Sequence, residues 1–136
     1  MATLTFEQAR EQLGFHSGRD QRIDDPRWDN GLLATLRPYR GLRRDAMESV
    51  MECVDAVAAH LMGAEPLDRE VISSLWGICH FVRAWAIHPD GMLKRNGLIS
   101  DADASALEDW LEDFSYRVST LLDGVDEKGQ VDPDGP

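Results

Sequence analysis

The sequence has none of the short motifs that identify an enzyme by themselves. It contains no nucleophile turn of the G-x-S-x-G type, no phosphate-binding loop, no H-E-x-x-H pair and no dinucleotide fingerprint. Its two cysteines, Cys53 and Cys79, are too few to form a disulfide framework, so we expect both thiols to be reduced. These absences predict a protein with no catalytic residues of a known type and no cofactor.

Long hydrophobic segments are also missing. The longest mostly apolar run, residues 71–87, is interrupted by two serines, a histidine and an arginine, and it is too short and too polar to cross a bilayer. The N-terminal residues MATLTFEQAR do not combine a basic region with an apolar stretch, so we expect no signal peptide. Together these features predict a cytoplasmic protein with no membrane partner.

Helical periodicity dominates the chain, and no segment alternates convincingly with a period of two, so the fold class is predicted to be all-α. A chain of 136 residues is long enough to bury a core without disulfides or metals. We expect residues 1–124 to form one domain, a compact bundle of three long helices plus a short N-terminal helix. Residues 125–136, which are rich in acids, glycine and proline, are expected to form a flexible acidic tail.

Local signals mark the short first helix. Thr5, followed by Gln8 three residues later, is typical of a capping box, and Gly14 predicts the end of the helix. Residues 15–30 are polar and predict a long connection, and a short turn of helix is expected over residues 31–36. Three apolar side chains are expected to pin this connection to the body of the protein: Phe15, Ile23 and Trp28.

Three long helices are predicted to follow. Proline at a first helical position and glycine just past the end favour one helix that begins at Pro38 and ends before Gly63. A second is expected to begin at Pro66 and to extend over residues 66–87. The third has the clearest boundaries, because Ser100 is predicted to cap it, with Asp103 closing a capping box, and Gly124 to end it.

The helix over residues 66–87 is apolar around most of its circumference. Its apolar residues cover about 240° of the helical wheel: Val71, Ile72, Leu75, Trp76, Ile78, Cys79, Phe81, Val82, Trp85, Ala86 and Ile87. The remaining arc holds His80 and the small residues Ser73, Gly77 and Ala84, which would let another backbone approach closely. Because three long helices give this one only two neighbours, we predict a homodimer that buries it.

Cys79 and His80 are adjacent, but neighbouring residues on a helix point in different directions, so we predict an inert thiol and no reactive pair. Arg83 is less easily explained, because its spacing places a guanidinium within the apolar arc. It either forms a buried salt bridge or binds an anion in a pocket walled by tryptophans. The candidate binding residues are therefore Arg83, Trp76, His80, Trp85 and Trp110.

Carboxylates on two helices offer an alternative, a metal site. Glu48, Glu52 and Asp55 share one flank of the first long helix, and Glu108 and Glu112 lie four residues apart on the last. Two facing rows of this kind would suit Mg²⁺ or Mn²⁺ in a metal-dependent hydrolase. The chain contains no Glu-x-x-His, which argues against a di-iron site, and solvated helix faces are the commoner origin of such rows.

A cluster of four arginines, RPYRGLRR over residues 37–44, precedes the first long helix. Within it Arg40 and Arg44 are candidate anion-binding residues, because a basic group near a helix N-terminus attracts anions. The simpler interpretation is that these arginines contact the acidic last helix or the acidic tail.

The charge distribution gives the strongest indication of function. The net charge is −11, and residues 1–44 hold eight arginines and six acids, whereas residues 100–136 hold eleven acids and two bases. Such acidity excludes nucleic acid as a partner bound through the general field, because phosphates would be repelled. We therefore predict a non-catalytic protein that binds a basic protein, as an inhibitor, an immunity protein or an adaptor would. The metal-dependent hydrolase and a small-anion binder centred on Arg83 remain alternatives.

Overall fold

Helices form every regular element in the computed structural model, which describes residues 4–61 and 66–124. In chain order they are α1 (Phe6–His16), α2 (Pro26–Asp29), α3 (Leu32–Leu36), α4 (Arg44–Leu61), α5 (Arg69–Val82), a π-helical turn (Arg83–Ile87), α6 (Met92–Arg95) and α7 (Asp101–Asp123). No strand occurs in these two ranges, which confirms the all-α prediction. None of the helices described there is both long and apolar enough to cross a membrane.

The capping box of α1 is confirmed, but the predicted end of this helix is wrong. The Gln8 N–H donates to Thr5 Oγ1 over 3.1 Å, and the Thr5 N–H donates to Gln8 Oε1 over 3.0 Å. Gly14 lies inside α1, which continues to His16, and the following residue, Ser17, caps the helix by donating its N–H to the carbonyl oxygen of Leu13. A glycine inside a helix lowers its stability without having to end it.

The long helices begin later than the prolines predict. Pro38 lies in a turn in which Leu36 and Tyr39 form an isolated bridge, and α4 begins only at Arg44. Similarly, α5 begins after Asp68, whose carboxylate accepts the Val71 N–H over 3.0 Å. The predicted end of α4 at Gly63 and the predicted tail over residues 125–136 lie outside the described residues.

Ser100 and Gly124 bound α7 as predicted, but the capping box predicted with Asp103 is wrong. Ser100 Oγ accepts the N–H of Asp103 over 3.1 Å, and Gly124 closes the helix in the left-handed conformation, with φ 73°. The Asp103 side chain has a different role from the one expected, because its carboxylate accepts a 2.8 Å hydrogen bond from the Tyr39 hydroxyl. This bond joins the start of α7 to the turn after α3.

The predicted connection over residues 15–30 is partly helical, and only two of its three predicted apolar anchors pack against the body of the protein. Phe15 belongs to α1 and is buried, and Trp28 lies half-buried in the short helix α2. Ile23 is 61% exposed, so its predicted contact with the body of the protein is wrong. A single isoleucine in a polar loop has no neighbouring apolar residue to set a periodicity, and its burial cannot be inferred from pattern.

The core lies where α1, α4, α5 and α7 meet. α1 packs against α4 and α5, and α7 packs against α4, α5 and the π-helical turn. Each long helix contributes a stripe of side chains at helical spacing, as the periodicity predicts. The largest fully buried side chains include Phe15, Phe114, Leu13, Leu75, Ile78, Leu107 and Leu111.

The predicted small-residue face of α5 is covered by the chain at Gly77 but is exposed at Ser73 and His80. Gly77 is buried, and a Cβ placed on it would lie 3.9 Å from Cβ of Ser17, at the end of α1. α5 packs against α1, α3 and α7, so the premise that it has only two neighbours within one chain is wrong. The end of α1 lies against this face at Gly77, and the short helix α3 is a third neighbour of α5. A homodimer stays a prediction, without this argument for it.

At Gly91 the backbone at the start of α6 passes very close to the backbone of the π-helical turn. A Cβ on Gly91 would lie 2.5 Å from the carbonyl oxygen of Ala84 and 2.9 Å from those of Trp85 and His88. Contacts this short with backbone atoms cannot be relieved by rotating a side chain. A residue without a Cβ is therefore required for α6 to start directly against the turn.

We expect Gly91→Ala to lower the free energy of unfolding by about 2 kcal/mol or more, because the backbone must move to admit the methyl group. Gly14→Ala is the matched control, since its Cβ would come no nearer than 3.5 Å to Asp20 Cβ. There the loss of helical glycine should stabilise the protein by up to about 1 kcal/mol. Urea unfolding followed by circular dichroism measures both, and equal effects would contradict the packing at Gly91.

A buried histidine joins three helices. The Leu32 N–H donates to Nδ1 of His16 over 3.0 Å, so this nitrogen carries no proton. The Nε2–H of His16 faces Ser49 Oγ at 2.9 Å, and Ser49 in turn donates to Oε1 of Gln12 over 3.3 Å. Burial lowers the pKa of His16 to about 4, although nearby Asp45 partly opposes the shift. The imidazole is therefore neutral in the folded protein at neutral pH.

His16 makes stability depend on pH in a predictable direction. In the unfolded chain it takes up a proton below about pH 6.5, whereas the folded protein resists protonation until about pH 4, so stability falls as the pH falls through this window. Between pH 7 and pH 5 the wild type should lose about 2 kcal/mol more than His16→Gln. Urea unfolding at the two pH values measures the difference. The exposed-residue control His80→Gln should behave as wild type, and an equal loss in His16→Gln would contradict the assignment.

Candidate functional site

Arg83 lies on the exposed side of α5, and its predicted place within a buried arc is wrong. Five exposed residues form one stripe at helical spacing along this helix and into the π-helical turn: Arg69, Ser73, Trp76, His80 and Arg83. Trp76 is 61% exposed and stacks on His80, with ring centroids 4.7 Å apart and planes 7° apart. The apolar arc is thus narrower than predicted, because Trp76 belongs to its outer edge. Among the described residues no carboxylate lies within salt-bridge distance of Arg83.

The three tryptophans predicted to wall one pocket lie in three different places. Trp76 is on the exposed stripe, Trp85 is half-buried in the π-helical turn, and Trp110 is half-buried between α4 and α7. Cys79 and His80 diverge as predicted, since His80 is exposed and Cys79 half-buried. Burial raises the pKa of the Cys79 thiol and raises that of Cys53 to about 12, which makes both poor nucleophiles.

A groove of about 420 Å³ between α4 and α7 brings together several predicted site residues. Its lining comprises Arg44, Met47, Glu48, Met51, Glu52, Asp55, Trp110 and Arg117. The acids come from the exposed flank of α4, where spacings of four and three residues place them in one row. The methionines and the indole form an apolar floor beneath this row.

Arg117 separates the two predicted rows of carboxylates. Its Nη1 lies 2.9 Å from Oδ1 of Asp55 on α4, and its Nε lies 3.6 Å from Oδ1 of Asp113 one turn earlier on α7. Glu108 and Glu112 are exposed on α7 and do not line the groove, so the facing arrangement predicted for a metal site is not formed. In the described part of the chain no three acid, histidine or cysteine side chains are grouped to hold a metal ion.

The sequence alone did not single out Arg117. The relevant signal is its position four residues after Asp113, because an acid followed by a base at this spacing forms an ion pair along a helix. The longer-range contact with Asp55, 62 residues away, has no counterpart in the local pattern.

Trp110 closes the groove from below. Its ring stacks on Phe114, with centroids 5.1 Å apart and planes 11° apart. Its Nε1–H is buried and meets no hydrogen-bond acceptor among the described residues.

The outer face of α7 extends the acidity of the groove. Glu108, Asp109, Glu112 and Asp113 are all exposed on this face. Tyr116 lies among them with 66% of its surface exposed. We define the acidic surface as these four residues together with Glu48, Glu52 and Asp55 of α4. Arg117 links the two parts, since it contacts one acid of each helix.

Among the described residues, no arginine of the cluster before α4 forms a salt bridge with the acidic last helix, and the acidic tail, the other partner that the simpler interpretation names, lies outside them. Arg40 donates to the backbone carbonyls of Asp29 and Ala34, which fixes the turn after α3. Arg44 lines the groove between α4 and α7 together with Glu48. Arg43 forms a salt bridge with Asp45 over 3.2 Å. Arg37 lies over the ring of Trp85, 5.5 Å from its centroid. The four arginines therefore serve several local contacts and do not form one anion site.

Comparison with known proteins gives no relative for this arrangement. No protein-family model matches the chain, and no significant match is found among curated proteins or solved structures.

Proposed function

We propose that the protein acts by binding a basic segment of another protein on the acidic surface formed by α4 and α7. The observation that carries this proposal is an exposed aromatic ring, Tyr116, set among the carboxylates of α7 beside an acid-walled groove. Acids alone are common on solvated helices. A tyrosine exposed over two thirds of its surface, in the middle of them, supplies the apolar contact area that charge alone does not give.

The groove has the chemistry required by lysine or arginine side chains. The methylene stem of such a side chain would lie on Met47, Met51 and Trp110, and its cationic head would reach Glu48 or Glu52. Methionine suits this task because its unbranched side chain adapts to different partners. Negative potential over the whole surface would accelerate the encounter with a basic protein and orient it.

An inhibitor, an immunity protein or an adaptor would each work in this way, by occupying a basic surface of the partner. No chemical step is required of the acidic surface, and its residues Asp55 and Asp113 are already engaged by Arg117. This engagement favours binding over metal-dependent hydrolysis, because a divalent ion would have to displace a guanidinium from the carboxylates. Self-association through α5 stays a separate prediction.

The test is the affinity of the full chain for a fluorescently labelled oligoarginine peptide, measured by fluorescence anisotropy at about 0.15 M salt. The triple variant Glu108→Gln, Asp109→Asn, Glu112→Gln should bind the peptide about tenfold more weakly, because it loses three carboxylates from the acidic surface. Tyr116→Ala should also weaken binding, although it leaves the net charge unchanged.

A charge-matched control separates a specific surface from a general field. The variant Asp24→Asn, Asp29→Asn, Asp90→Asn removes the same number of exposed carboxylates from positions outside the acidic surface. It should change the affinity less than about twofold. An equal loss in both triple variants, or an unchanged affinity in Tyr116→Ala, would overturn the proposal, as would the absence of binding by the wild type.

A further inference from the structure

A second pocket, of about 290 Å³, lies where the end of α1, α2, α3 and the π-helical turn meet. Aromatic rings from three of these elements and from α5 line it: Phe15, Trp28, Phe81 and Trp85. Leu33 and Ala34 of α3 complete the apolar part of the wall. None of these residues belongs to the acidic surface, so the pocket is independent of the proposed function.

The π-helical turn holds Trp85 at this pocket. Its wide backbone hydrogen bond runs from the His88 N–H to the carbonyl oxygen of Arg83 over 2.9 Å. Within the turn Ala86 is buried in the core, whereas Trp85 is half-buried and lies 5.0 Å from the ring of Phe81. Such turns are rare and occur frequently at functional sites, where they set a side chain in a position that a regular helix would not give it.

The pocket carries a single charge, and it is positive. Arg37 lies at the rim, with its guanidinium 5.5 Å from the centroid of Trp85, and no acidic side chain is part of the lining. In the part of the chain that the structure describes, no carboxylate lies within salt-bridge distance of Arg37. On a protein with a net charge of −11, a cation placed over an apolar pocket in this way favours an anion.

Two neighbouring arginines differ from Arg37 in having carboxylate partners. Arg22 and Arg27 also lie over an aromatic ring, that of Phe15, at 5.0 and 4.7 Å from its centroid. The positive charge of each is compensated by a salt bridge, because Arg22 contacts Asp20 and Arg27 contacts Asp25. Arg37 has the same aromatic contact without such a carboxylate among the described residues.

We propose that this pocket binds a small aromatic carboxylate, with its ring between the aromatic walls and its carboxylate on Arg37. The planar guanidinium can donate two parallel N–H bonds to a carboxylate, and aromatic rings stack on the walls in offset or edge-to-face geometry. Pockets for drug-sized ligands start at about 300 Å³, so the volume suits a compound with one ring. The sequence predicts an anion site at Arg83. The site proposed here lies instead at Arg37, beside Trp85 and the cavity.

Fluorine NMR of the full chain with 4-fluorobenzoate tests the proposal directly. We expect saturable binding with a dissociation constant of about 1 mM or below. The neutral isostere 4-fluorobenzamide should bind at least about tenfold more weakly, because it lacks the charge that Arg37 recognises. Arg37→Gln should weaken the binding of 4-fluorobenzoate about tenfold and leave that of 4-fluorobenzamide unchanged.

Two further variants keep the test specific. Arg69→Gln removes an exposed arginine from α5 that does not line the pocket, and it should bind 4-fluorobenzoate as the wild type does. Trp85→Leu, checked for folding by circular dichroism, should weaken the binding of both compounds. The absence of saturable binding, equal affinities for the two compounds, or an equal loss in Arg69→Gln would overturn the proposal.

Discussion

The neutral imidazole of His16 is the contact on which the arrangement of helices depends. It accepts the Leu32 N–H at the start of α3 and donates to Ser49 on α4, so one side chain ties three helices together. Its neighbours in the chain extend this junction, because Phe15 and Ser17 both line the aromatic pocket and Ser17 also faces Gly77 of α5. A charged imidazole could not accept the Leu32 N–H, so the junction exists only while the ring is neutral.

Around this junction, two groups of helices carry side chains of different chemical character. α4 carries exposed carboxylates along a groove with an apolar floor, and α7 carries exposed carboxylates on its outer face, outside the lining of that groove. The end of α1, the short helices α2 and α3, and the π-helical turn carry aromatic rings and one cation, Arg37. The partner that we propose for the first group is a basic protein, and the ligand that we propose for the second is a small anion. Opposite charge preferences at the two places are compatible because surface charges are screened over about 8–10 Å at physiological salt.

Much of the fold could be predicted because it depends on residues close together in the chain. The capping box at Thr5 and the ends of α7 at Ser100 and Gly124 each involve bonds between residues three or four positions apart. The starts of α4 and α5 were harder, since a proline is compatible both with a first helical turn and with the turn that precedes it. At Pro38 the bridge between Leu36 and Tyr39 shows that this proline belongs to the turn before α4 and not to its first helical turn.

By itself, the sequence determined the helical class, the main caps and the uneven charge, because these follow from composition and from spacing along one helix. Only the tertiary structure decided which sector of α5 faces solvent, where Trp76 and Arg83 lie. It also decided that Arg117 reaches Asp55 across 62 residues and that Arg37 meets Trp85. The physical reason is that periodicity orders side chains around a helix, whereas their burial and partners depend on which neighbour packs against each sector.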